Sequence, residues 1–324
     1  MWTDQITASR DATWGIHIKP LDSEAALLQA GTPCAALVDH LAVIRLSGPD
    51  AADFLQGQVT CDINQLAPGQ GLLGAHCNLK GRAQATFICG RQGDDLLLLL
   101  PRDQQQPTID ALGKFAMFSK VDISAAQELL VLGFTAGDDL TTSADRVGDI
   151  VGAECFHIPH LGWLALIPEG SARLALELLS TRRIPVVGDN AWRLNRIRLG
   201  IAQIYQAQTE QWIPQELNYD LIEGVNFKKG CYKGQEIVAR IHYRGQTKVR
   251  TFALEVRGGG PLAIGAKITG AGGQGTVLEV ARVSETTFNV LSTLKIEDAE
   301  NGDLRLNSND EAKIRVLPLP YAIT

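Results

Sequence analysis

Most of the residues that could do chemistry fall in one stretch. Phe227–Gly245, FKKGCYKGQEIVARIHYRG, places one cysteine among lysines, three glycines and two arginines four apart within nineteen positions. Cys231 lies between Lys228, Lys229 and Lys233. A thiolate, not a thiol, is the nucleophile and metal ligand, and nearby ammonium groups or a helix N-terminus favour it. After Gly234 the pattern turns helical. Ile237 and Ile241 recur at i,i+4, Glu236 stands four before Arg240, and Gly245 offers a stop. The spacing therefore predicts a tight loop over 228–234, with Gly230 and Gly234 free to take positive φ or allow close approach. A short helix follows, and its opening amides form a site for a carboxylate or phosphate. The plainer reading is a cysteine that serves as a small buried hydrophobe, as most unpaired cysteines do.

The remaining composition bounds the function. A chain of 324 residues has room for two or three domains. Its 45% hydrophobic and 20% charged content is that of an ordinary globular protein. A net charge of −6 disfavours wholesale electrostatic binding to nucleic acid, although seven Lys or Arg within 228–250 leave a local basic patch. The six cysteines form no CxxC pair, which argues against zinc-ribbon sites and local iron–sulfur ligation; no stably bound metal is expected. MWTDQITASRDATW lacks the apolar core of a signal peptide, and the longest apolar run, Leu96–Leu100, is too short to span a bilayer. A cytoplasmic location with reduced thiols and no membrane association is the expectation. Neither GxGxxG nor a P-loop is present, so dinucleotide and triphosphate readings have no support.

The elements that must position the cysteine alternate in type. Ser23–Ala30 reads as a helix and Ala36–Leu46 as a strand. Pro49 is suited to the first helical position, capped by Ser47 or Gly48. Leu72–Cys89 reads as a hairpin whose tip carries Asn78, Lys80, Gly81 and Arg82; a polar tip is either a ligand edge or a solvated turn. Asp94–Leu100 and Leu129–Phe134 read as strands, Gln104–Phe118 as a helix, and 135–155 as loops with one weak element. Leu161–Pro168 is strand-like, Ser171–Thr181 helical, and Asn190–Ile201 helical to Gly200. The connector 202–221 must be ordered, because Trp212, Ile213 and Tyr219 would otherwise be stranded in water. After Gly245 short β-type runs alternate with Gly, Asn and Asp, the pattern of a small β-barrel or sandwich. The class is α+β.

KGCYKGQE, with the VAR and YRG that follow, closely resembles the signature of the YgfZ family, a relative of the aminomethyltransferase (T-protein) of the glycine cleavage system. SGPDAADFLQGQVTCDI near residue 50, the aromatic segment Lys114–Val121, the Trp212-Ile213-Pro214-Gln215 piece and the ending Leu317–Tyr321 resemble the same family. The resemblance implies an aminomethyltransferase-like folate-binding fold. Residues 1–245 would form two intertwined α+β subdomains and 246–324 a C-terminal β-barrel, around a central hole that takes tetrahydrofolate or a derivative. It implies that Cys231 borders the hole as the reactive residue, with Lys228, Tyr232, Gln235 and Arg240 near the ligand and Asn78 offered by the hairpin tip.

Two departures bear on the chemistry. Where the aminomethyltransferases carry an acidic pair on the second hairpin strand, this chain has Ala85 and Thr86, and neither can act as a carboxylate base. Where relatives often hold a glutamate for the pterin, it has Arg198, which only donates. The resemblance thus implies a folate-binding accessory protein for assembly or repair of iron–sulfur enzymes, including tRNA-modifying ones, acting through Cys231. The alternative is a tetrahydrofolate-dependent one-carbon transferase, against which the missing acidic pair counts. A third reading is an RNA-contacting rim of basic residues, against which the acidic whole counts. Partners on the first reading are iron–sulfur enzymes or assembly proteins.

Overall fold

The computed structural model describes residues 2, 9–11, 15–135, 151–159, 161–258, 260, 262–309 and 311–323. A ribbon of β1 (Ser9–Asp11) and β2 (Gly15–His17) precedes helix α1 (Leu21–Gln29), β3 (Cys34–Leu37), β4 (Leu41–Ser47) and helix α2 (Ala51–Gln56). The hairpin of β5 (Leu72–Cys77) and β6 (Ala83–Gln92) is extended by β7 (Asp95–Pro101). Next come α3 (Gln105–Gly113), β8 (Asp122–Ala125), β9 (Leu129–Thr135), β10 (Glu154–Ile158) and β11 (Gly162–Pro168). Then follow α4 (Ala172–Thr181), β12 (Val186–Val187), α5 (Asp189–Leu199) and, after a long connector, α6 (Gln235–Arg244). The C-terminal region holds β13 (Val249–Arg257), β14 (Lys267–Gly270), β15 (Gly273–Arg282), β16 (Thr287–Lys295), α7 (Ile296–Asn301), β17 (Arg305–Leu306) and β18 (Lys313–Leu317).

The strands form three larger sheets, in the orders β5-β6-β7-β4-β8, β10-β11-β9-β3-β12 and β17-β14-β15-β16-β13-β18. The first two share a core, and the side-chain period of two shows how. Leu97 and Leu99 of β7 face that shared core, while Leu96, Leu98 and Leu100 face a second core under α2 and α3. In β3, Cys34 and Ala36 face the shared core, whereas Ala35 and Leu37 face the core beneath α4. The third sheet curls into a half-barrel around a core of its own, and lends Ala253, Leu278, Ala281 and Leu291 to the shared core. This is a mixed α+β architecture with a C-terminal half-barrel sheet, as the sequence leads one to expect.

Several local expectations are corrected. Ala36–Leu46 is not one strand: the chain leaves one sheet and enters the next at Asp39-His40. That turn is fixed by Asp189 at the start of α5, whose Oδ1 accepts from the backbone N–H of Asp39 (2.8 Å) and of His40 (3.2 Å). Pro49 lies outside α2, whose N-cap is Asp50. The helix from residue 104 stops at Gly113, and 116–118 make a separate single turn. The loops expected over 135–155 fall largely outside the described residues.

Candidate functional site

Cys231 is exposed. Cys34, Cys61, Cys77 and Cys89 are buried and Cys155 is half-buried, so it is the one exposed thiol of six. Burial pushes the Cys34 thiol up to about 11 and those of Cys61 and Cys77 up to about 12. These four are core residues; the loop cysteine is placed differently.

The loop is held rigidly from below. Lys229 is only 8% exposed, and its ammonium donates to three backbone carbonyls, those of Gln56 (2.8 Å), Val59 (2.8 Å) and Cys61 (2.6 Å). It thereby ties the loop to the chain that follows α2. Burial lowers its pKa to about 8, and the three acceptors favour the charged form. Asn226 Oδ1 accepts from the backbone N–H of Lys228 and Lys229, and the Lys233 N–H donates to the Gly57 carbonyl (3.2 Å). Gly234 then takes φ +82° as the N-cap of α6. A Cβ there would strike the Asn78 carbonyl, so only glycine lets the helix start against the hairpin tip. Gly230 is different: open space surrounds it, and its φ is not positive.

The expected electrostatics are only partly realised. The Lys229 ammonium is taken up by its three carbonyls. Lys233 donates to Gln84 Oε1 (3.2 Å) and stands 4.6 Å above the Phe115 ring. Lys228 is exposed. Two of the three neighbouring cations are therefore spent on architecture rather than on the thiol.

The other expected site residues separate into three places. Asn78, Tyr232 and Gln235 gather at the start of α6. Asn78 Oδ1 accepts from the N–H of Lys80 (2.9 Å) and Arg82 (3.0 Å), so its side chain braces the turn. Gln235 Oε1 accepts from the Tyr232 N–H at 3.4 Å. Tyr232 is 7% exposed, and its hydroxyl finds no partner among the described residues. Lys228 instead lines a cavity of about 460 Å³ with Cys61, Asp62, Asn226 and His242. That cavity shares Asp220 and His242 with a larger one of about 750 Å³, bounded by Gln215, Lys248, Arg250 and Glu297. Arg240 sits apart, on the exposed face of α6.

Local spacing carries no sign of a buried polar cluster under α5. Glu279 is fully buried; it accepts from Arg196 (3.3 Å) and from the Tyr205 hydroxyl (2.9 Å), and Arg193 is 4.0 Å away. Arg196 also donates to Gln203 and to the Ile201 carbonyl. The two departures from the aminomethyltransferase pattern lie nearby, and both side chains are engaged. Thr86 Oγ1 accepts from the Ile204 N–H (2.9 Å), and Arg198 donates outward to the Leu28 carbonyl (2.6 Å). Arg198 only donates, so it does not fit a pterin amino edge held as the resemblance implies, and Thr86 cannot act as the carboxylate base. Also missed was His76, buried beside the loop with neither ring nitrogen partnered. Both features join residues far apart in the chain, which leaves no mark on local spacing.

Among the described residues no group of three or more His, Cys, Asp or Glu could hold a metal ion, and no helix is long and apolar enough to cross a membrane. No protein-family model matches the chain. It is 29% identical over 310 residues to the tRNA-modifying protein YgfZ of Escherichia coli O127:H6 (strain E2348/69 / EPEC), covering 88% of this chain and 92% of that one. Identity and coverage are the same for the tRNA-modifying protein YgfZ of Shigella boydii serotype 4 (strain Sb227). Among solved structures, the glycine cleavage system aminomethyltransferase T from Bartonella henselae superposes with a TM-score of 0.74 over 98% of this chain and 95% of that chain, at 18% identity.

Proposed function

We propose that this chain, YgfZ-like in sequence and aminomethyltransferase-like in fold, is an accessory protein for iron–sulfur enzymes, tRNA-modifying ones among them, acting through Cys231. The observation that carries this reading is the contrast between one exposed thiol on a braced loop and four thiols sealed in the core. A cysteine kept only for packing has no reason to sit in solvent on a loop whose own lysine is buried to hold it. One cysteine cannot retain a cluster. Cys231 therefore contributes a single sulfur to a cluster whose other ligands belong to the client.

Catalysis of aminomethyl transfer finds no support in the centre of the molecule. The carboxylate base is replaced by Ala85 and Thr86, and the buried carboxylate Glu279 is already bonded to Arg196 and Tyr205. Tetrahydrofolate is the ligand that the resemblance supplies. Because Arg198 offers the pterin no acceptor, its binding rests on other residues, and no chemical step is assigned to it.

The test is complementation. In cells lacking the protein, Cys231→Ser is expected to fold and accumulate normally yet fail to restore iron–sulfur enzyme activity; full restoration would exclude the thiol. Separately, millimolar tetrahydrofolate should raise the melting temperature of the wild type. An unchanged melting temperature would leave the accessory role standing without a folate.

A further inference from the structure

Three segments meet around Cys231. The tip of the β5–β6 hairpin touches the start of α6 at Gly234, and the single turn at 116–118 is joined to the loop by Lys233, whose ammonium lies over Phe115. The apolar side chains on these segments are turned outward. Leu79 is 79% exposed, Phe115 48%, Met117 77% and Phe118 95%. Single exposed apolar residues need no explanation, but four of the six large ones exposed among the described residues fall on the two segments that flank the one exposed thiol.

The charge pattern says what covers them. Residues 78–82, 113–120 and 227–235 contain seven lysines and arginines and no aspartate or glutamate, in a chain with 36 acidic residues and a net charge of −6. Lys80, Lys114, Lys120 and Lys228 are exposed. Two carboxylates that approach the face are engaged: Asp50 accepts from the Lys120 N–H at 2.7 Å, and Glu210 from the Gln84 side-chain amide at 2.8 Å. An apolar centre with a mostly basic rim, exposed Glu236 at the start of α6 apart, complements a protein surface that is apolar at its middle and acidic around it. Leu79 and Met117 are poor stacking partners for bases, which favours a protein over RNA.

We propose that Leu79, Phe115, Met117 and Phe118, with their lysine rim, form the docking face on which an acidic partner protein is seated over Cys231. This rests on the reading that Cys231 acts on a partner, and it adds how that partner is recognised.

Two paired variants test it in the full-length protein: Met117→Asp with Phe118→Asp, and Lys114→Glu with Lys120→Glu. All four side chains are exposed, so both proteins should melt like the wild type. Loss of two anchors should lower restored iron–sulfur enzyme activity by about tenfold or more. A photo-crosslinking amino acid at position 118, and separately at 79, should trap the same partner polypeptide, through a peptide rich in Asp and Glu. The adduct should vanish in the lysine-reversed background and be absent when the probe sits at exposed Leu174 on α4. An adduct destroyed by ribonuclease, an adduct holding only peptides of this chain, or no adduct beyond that at position 174 would overturn the docking face. Full rescue by both variants, with Cys231→Ser inactive, would overturn it alone. Full rescue by Cys231→Ser, with the crosslinks formed, would instead remove the thiol function and leave the docking face standing.

Discussion

The cluster under α5 and the Cys231 loop are both built from charged side chains, yet they are opposites. Under α5, Glu279, Arg196 and Tyr205 are buried and bonded to one another. On the loop, Lys229 is the one charged side chain that is buried, and it bonds to backbone while a neighbouring thiol stays in solvent. In the first region polar groups consume each other; in the second they hold one group available. The fold is aminomethyltransferase-like, and on the function proposed above its chemistry lies at the Cys231 loop rather than in the polar cluster under α5.

If that contrast is right, removing charge from the two regions has unequal effects. The largest belongs to the α5 cluster. Glu279→Gln leaves Arg196 buried without its counter-charge, and breaking a buried pair from one side costs about 3–5 kcal/mol. Denaturant melts should show it, while labelling of Cys231 by a thiol reagent in native buffer should be unchanged. Lys229→Met comes next. It strands three carbonyls, for which about 2–4 kcal/mol is expected, and here thiol labelling should change too, because the loop loses its anchor. Equal labelling of Cys231 in both variants would erase the distinction between the regions.

The general shape of this arrangement is legible in the sequence because it is local. Gly234 and the i,i+4 isoleucines mark the start and face of α6, and Asn78 with Gly81 marks a hairpin tip. The five-leucine run of β7 announces a strand buried on both faces, as the structure has it. What the sequence hides is where long side chains end. Lys229 looks like one more cation beside a cysteine, and only the fold reveals that its ammonium reaches carbonyls some 170 positions earlier. The split of 36–46 between two sheets depends on Asp189, about 150 residues later. The turn at 116–118 carries its apolar residues outward, which a helical reading of 104–118 would have placed inside.

A third effect sharpens the comparison through pH. His76 lies beneath the loop, and burial, with a smaller push from Lys233, lowers its pKa to about 3 from 6.5. The folded protein keeps this imidazole neutral while the unfolded chain protonates it below pH 6.5. Its contribution is therefore complete above that pH and is lost progressively on acidification toward 3. At about pH 4.5 the loss amounts to roughly 3 kcal/mol, from about 1.36 kcal/mol per pH unit. His76→Gln should flatten the melting temperature over this window by the His76 share. A variant whose acid profile matches the wild type would place the sensitivity elsewhere.

The smallest stability effect belongs to the residue of greatest functional interest. Cys231 is exposed and bonds to nothing in the core, so Cys231→Ser should alter stability by no more than about 0.5 kcal/mol. The same substitution should remove the fast-labelling thiol from the native protein, leaving the buried cysteines to react only as the chain opens. In the α5 cluster the cost in stability and the loss of structure run together; at Cys231 stability is untouched while a chemical property disappears. A native wild-type protein in which a second cysteine labels as fast as Cys231 would break the comparison, because the loop would then no longer be the one place where the fold holds a thiol in reach.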